Sequence, residues 1–107
     1  MANFDKREDA FERQFAHDEE LKFKAEARRN KLLGLWAAEK LGKSGTDADA
    51  YAKEVVAADF EAAGHEGVVR KVLTDLTTKG LAVTETDVRA KMSELLATAV
   101  AQVKASS

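Results

Sequence analysis

Three constellations in this chain have residue types that could do chemistry, and spacing decides against each. Gly42-Lys43-Ser44 offers a lysine for a phosphate and a hydroxyl for its metal ion. A phosphate loop, however, needs a glycine five positions before Gly42, where the chain has Ala37, and a strand leading into it. Gly34 lies too far back and inside a helical pattern, so Gly42 reads as a helix stop. His17 and His65 are the only histidines. His17, with Asp18 and Glu20 nearby, comes nearest to a metal set but lacks ligand spacing with an open geometry. It reads instead as a solvated, titratable residue near a helix start. No Ser/His/Asp order and no distinctive carboxylate pair emerge. The absence of cysteine removes thiolate catalysis, disulfides and thiolate-bound metals. The residues therefore predict no catalytic group, no metal, no enzymatic activity and no required cofactor; nucleotide or anion binding stays open.

What remains is charge and aromatic placement. Residues 1–20 carry seven acids and three bases, a net of −4, while Lys22 to Lys31 carry five bases and one acid, a net of +4. The whole chain sums to −2 with a pI near 5.7, which gives no general attraction to nucleic acid. The basic turn Arg28-Arg29-Asn30-Lys31 is short and lacks interleaved aromatics. It therefore reads as a solvated helix face or a contact for an acidic partner. Four of the five phenylalanines, Phe4, Phe11, Phe15 and Phe23, fall within the first 23 residues. On a helix, Phe4, Phe11 and Phe15 lie within about 40° of one another, forming an aromatic seam with charge around it. Such a helix is marginal alone, because nucleation is costly and packing supplies most helical stability. That pattern suits a segment that folds on a partner. The alternative is that it prolongs the first helix and packs Phe11 and Phe15 onto the protein's own core.

The rest of the chain supplies the elements. With 107 residues, one core is the limit, and zero proline with six glycines disfavours a turn-rich β architecture. Only seven aromatics are present, so the core must consist mainly of Ala, Val and Leu. Ala25, Leu32, Leu33, Trp36 and Ala37 form a first helix that closes at Leu41-Gly42, with Trp36 as a core residue. Thr46 or Asp47 is expected to cap a second helix bearing Tyr51, Ala52, Val55, Val56, Phe60 and Ala63 and ending before Gly64. Val68, Val69, Val72, Leu73 and Leu76 form a third, stopped by Gly80. Thr84 and Asp87 form a capping arrangement for a fourth, with Val88, Met92, Leu95, Leu96, Ala99 and Val103 facing inward. Short connections favour antiparallel neighbours. The expected fold is all-α: a small four-helix bundle over residues 21–107 with a mobile, potentially helical arm over residues 1–20. No segment is apolar and long enough to span a membrane, and no secretory signal is visible.

Phe4-Asp5-Lys6-Arg7-Glu8, the run Phe15-Ala16-His17-Asp18-Glu19-Glu20-Leu21 and the stretch from Phe23 to Ala38 resemble the zeta subunit family of alphaproteobacterial F-type ATP synthases. The likeness continues through Leu41-Gly42-Lys43-Ser44-Gly45, Tyr51 to Val56 and Asp59-Phe60, and weakens after residue 66. The resemblance implies a four-helix inhibitor of ATP hydrolysis whose N-terminal arm inserts as a helix at a catalytic α/β interface. It implies a free monomer that joins the catalytic sector, its alpha, beta and candidate gamma subunits, at the cytoplasmic face of the plasma membrane, with no nucleic acid and no membrane insertion. Phe4, Arg7, Glu8, Phe11, Glu12 and Phe15 are the candidate insertion residues. Lys22, Lys24, Arg28, Arg29 and Lys31 are candidate docking charges. The rival expectation is a non-enzymatic helical module that binds a nucleotide or other anion near Lys22, Lys24, Arg28 and Arg29.

Overall fold

The computed structural model describes residues 19–60 and 65–106. They form four helices: α1 (Glu19–Lys40), α2 (Gly45–Ala58), α3 (Glu66–Thr78) and α4 (Glu85–Ser106). No strand occurs among the described residues. The bundle is the expected all-α architecture.

Local chemistry sets most of the helix ends. After α1, Gly42 has φ 78°. Its amide reaches the Glu39 carbonyl at 3.1 Å and the Lys43 amide reaches Ala38 at 2.9 Å, the paired bonds that close a helix around a left-handed glycine. The same pair recurs after α3, where Gly80 has φ 93° and bonds Thr77 at 2.9 Å while Leu81 bonds Leu76 at 3.1 Å. At the start of α4, the Thr84 amide donates to Asp87 Oδ2 at 3.0 Å, and the Asp87 amide donates to Thr84 Oγ1 at 3.2 Å. This reciprocal pair satisfies two amides that the helix itself leaves without acceptors.

The second helix departs from expectation at both ends. Neither Thr46 nor Asp47 caps it; Ser44 occupies the cap position with an extended backbone and no side-chain cap bond. The Ser44 carbonyl instead accepts the amides of Asp47 at 3.2 Å and Ala48 at 3.4 Å. Asp47 falls inside the first turn, where its charge opposes the positive helix end. At the other end α2 stops at Ala58, and Phe60 lies beyond it with 74% of its surface exposed. Phe60 is therefore not a core residue. Ala63 lies outside the described residues.

Leu33, Ala37 and Ala38 of α1, Tyr51 and Val55 of α2, four apolar residues of α3, and Val88 and Met92 of α4 make one continuous core. It is built from Val, Ala and Leu, as the shortage of aromatics requires. Leu95 and Leu96 of α4 are only half-buried, as is Trp36, which packs at the core's edge with Lys40 and Lys91 over its ring. Helix α1 is the central element, packing along both α2 and α4, while α3 makes smaller contacts with all three. Arg28 early in α1 bonds Gln102 late in α4, and Trp36 late in α1 lies under Lys91 early in α4. The two 22-residue helices thus run in opposite directions.

Helices α1 and α2 meet most closely at Gly34. A Cβ there would lie 2.6 Å from the Ala52 Cα and 3.1 Å from its Cβ. Only a residue without a side chain lets these backbones approach so far.

Candidate functional site

Of the eleven residues singled out in the sequence, Phe4, Arg7, Glu8, Phe11, Glu12 and Phe15 lie outside the described residues. The other five lie in α1, between Lys22 and Lys31. Helix α1 already includes Glu19 and Glu20, so the last acids of residues 1–20 and the first bases of the basic segment share one helix.

The structure separates the five cations. Lys22, Lys24, Arg28 and Lys31 are exposed, but Arg29 is only 4% exposed and cannot belong to a solvated docking face. This corrects the reading of Arg28-Arg29-Asn30-Lys31 as a uniform solvated turn. Lys24, Arg28 and Lys31 stand at i, i+4 and i+7 and share one side of α1, whereas Arg29 is rotated about 100° away from Arg28, toward the bundle.

Arg29 is held inside by a polar node. Its Nε and Nη2 donate to Asn30 Oδ1 at 3.1 and 2.9 Å, and Nη2 also lies 2.9 Å from His65 Nδ1. That same His65 nitrogen is 3.1 Å from Asp59 Oδ1. A neutral ring with a bare Nδ1 accepts from Arg29; a ring with Nδ1–H donates to Asp59. Burial pulls the Arg29 guanidinium below the ordinary arginine range, and the nearby carboxylates of Glu26 and Asp59 oppose that pull. Asn30 is 1% exposed, and its carbonyl oxygen accepts twice from Arg29. The node ties α1 to the ends of α2 and α3, which makes Arg29 a structural cation.

The exposed cations border a groove of about 440 Å³. Leu21, Phe23, Ala27, Val56 and Val103 supply apolar walls, and Lys24, Arg28 and Lys31 line it with charge. Arg28 donates to the neutral amide of Gln102 at 3.3 Å, and Lys24 lies 3.1 Å from Glu20 in an exposed pair. The ion pairs found among the described residues do not include Lys22 or Lys31. Phe23 is 61% exposed. It was legible in the sequence as part of the N-terminal aromatic excess but was given no role. Phe60 was assigned to the core, although nine residues after Tyr51 a helix places it about 180° away from that buried ring. Its exposure follows from the end of α2 at Ala58, which leaves the ring beyond the helix.

A second polar contact lies elsewhere. Tyr51 donates to Asp75 Oδ2 at 2.8 Å, Lys71 reaches the same oxygen at 2.9 Å, and the Lys71 ammonium sits 5.1 Å from the Tyr51 ring centroid. Burial, followed by the Asp75 bond, pushes the Tyr51 hydroxyl well above its ordinary range. This arrangement fastens α2 to α3 and is not part of the basic surface. Among the described residues, no three His, Cys, Asp or Glu side chains gather at metal-binding distance, and no helix is long and apolar enough to cross a membrane.

No curated protein matches the chain. A protein solved by solution NMR is similar to it, with 61% sequence identity and a TM-score of 0.71, over 81% of this chain and 99% of the other. At that identity the likeness reaches beyond the fold. The sequence pattern of the family described as ATPase inhibitor subunit zeta matches residues 1–102, which takes in both the N-terminal aromatic segment and all but the last residues of α4. The chain belongs to the ATPase inhibitor subunit zeta family.

Proposed function

We propose that this regulator, itself no enzyme, blocks ATP hydrolysis by an F-type ATP synthase by inserting residues 1–20 as a helix at a catalytic α/β subunit interface. The observation that carries the reading is the family match across residues 1–102, because it spans the aromatic segment as well as the bundle. The seam of Phe4, Phe11 and Phe15 is suited to pockets at a subunit boundary, where aromatic anchors contribute most to binding. The direction of the chain also supports it: the segment that bears the seam leads directly into α1, which starts at Glu19 and is fixed in the core from Leu33 onward. A helix held between subunits opposes the closure that hydrolysis requires, so inhibition is mechanical and needs no reacting group on this chain. Ordering the arm costs free energy that binding must offset, which makes inhibition sensitive to each aromatic contact. The bundle remains outside, in contact with the alpha and beta subunits at the cytoplasmic face of the membrane.

The test is an ATPase assay on the isolated catalytic sector with the full chain and with a chain lacking residues 1–18. The cut spares α1 and every core residue found buried among the described residues. The shortened chain is expected to stay helical, with a cooperative melt, and to lose inhibition. A folded, shortened chain that inhibits as well as the full one would refute the insertion mechanism.

A further inference from the structure

The groove beside α1 continues past its own rim. Phe23, Ala27 and Val56 line both it and a smaller adjoining depression that reaches Phe60 and Asp59. The two most exposed large apolar side chains among the described residues, Phe23 and Phe60, thus flank one surface. Lys24, Arg28 and Lys31 run along its other side. Two rings with a polar border are the layout of an interface centre, in which aromatic anchors are desolvated and charged residues surround them.

We propose that this surface is a docking site for an acidic amphipathic helix of the ATPase, separate from the site that receives the arm. The sign of the partner follows from the groove, which Lys24, Arg28 and Lys31 line with no carboxylate among its walls. Glu20 pairs with Lys24 in an exposed contact, and the carboxylates of Glu26 and Asp59 lie in the adjoining depression, so the acidic side of the partner belongs over the three cations. Its apolar face follows from Phe23 and Phe60, which find no cover among the described residues. Its helical form follows from the groove, which runs along α1 from Leu21 to Lys31, about 15 Å or roughly three helical turns. Its place on the ATPase follows from continuity, because the groove begins two residues after α1 starts, where residues 1–18 join the bundle. A partner that grips the arm passes beside this surface. Docking there would hold the bundle and raise the local concentration of the arm at its own site. The proposal rests on the reading that the arm is the inhibitory element, and it adds a second, independently measurable contact.

The experiment places the photo-crosslinking residue p-benzoylphenylalanine at position 60 of the full chain, irradiates it with the isolated catalytic sector and maps the products. An adduct on an Asp- and Glu-rich helix of an ATPase subunit is expected. Adducts on residues 1–18 of this chain, on a second copy of it, or on no protein would overturn the proposal. In parallel, Lys24→Glu with Lys31→Glu, and Phe23→Ser with Phe60→Ser, are each expected to raise the half-inhibitory concentration at least about tenfold, the scale of losing central anchors or steering charge. Full inhibition at saturation should be retained and melting left unchanged, because all four side chains are exposed. Unchanged half-inhibitory concentrations in both double variants would overturn the docking site. Failure of the arm reading has a different signature, undiminished inhibition by Phe11→Ala with Phe15→Ala, and leaves the adduct at position 60 as an independent result.

Discussion

The two halves of α1 have the same secondary structure and opposite uses. From Leu33 to Ala38 the helix is packed on several sides: Leu33, Ala37 and Ala38 are fully buried and Gly34 admits the backbone of α2. From Leu21 to Lys31 it buries Ala25 and the Arg29–Asn30 pair and turns cations and a phenylalanine outward. One half is fixed by volume and the other by charge. On the proposed docking, a single helix would act as structural beam and as recognition surface without a break, with small residues serving the first role and long ones the second.

Substitutions should expose this division. The largest effect belongs to Leu33→Ala, which removes a fully buried side chain from the core cluster and is expected to lower the unfolding free energy by about 2–5 kcal/mol in denaturant titration. Gly34→Ala comes next. A helical alanine gains roughly 1 kcal/mol in propensity. Against that, the new methyl would stand 2.6 Å from a backbone atom that cannot rotate away, so a net loss of about 1–3 kcal/mol is expected. An unchanged or raised midpoint for Gly34→Ala would mean that the helices can part at little cost.

Asn30→Ala probes the place where the halves meet. It withdraws the oxygen that accepts two bonds from Arg29 and leaves a buried guanidinium short of partners, for an expected loss of about 1–3 kcal/mol. A smaller effect is expected of Tyr51→Phe, about 1 kcal/mol at neutral pH, because Lys71 still engages Asp75. It also has a pH signature. The folded Tyr51 hydroxyl titrates above the unfolded one, so its contribution is complete below about pH 10 and is lost as pH rises beyond it. The wild-type stability curve should therefore fall more steeply in alkali than that of Tyr51→Phe; parallel curves would show that the hydroxyl is not held. Smallest of all is Phe23→Ala, expected within about 0.5 kcal/mol of wild type because its ring is exposed. A loss of several kcal/mol there would place Phe23 in the core and collapse the comparison.

Helix ends were legible where backbone conformation dictates residue type. Gly42 and Gly80 take the left-handed conformation expected of them, and Thr84 with Asp87 form the reciprocal cap. The start of α2 was not, because a glycine and a carbonyl began the helix without a side-chain signal. Arg29 was misread since composition makes every arginine look solvated, and its burial depends on His65 and Asp59, about thirty or more residues away in sequence. Of the candidate site, the basic strip could be read directly from spacing. Its aromatic flank depends on where α2 ends, which is a property of the folded chain.

The contact between Gly34 and Ala52 also has a mechanical meaning. Two helices touching backbone to backbone have no layer of long side chains between them to shear, so α1 and α2 should tilt as one stiff body. A load applied at Glu19 would then travel along a lever about 22 Å long and arrive at the core with little lost to bending. On the proposed insertion mechanism such a strut would hold the inserted segment in place, where a compliant tether would let it be worked loose.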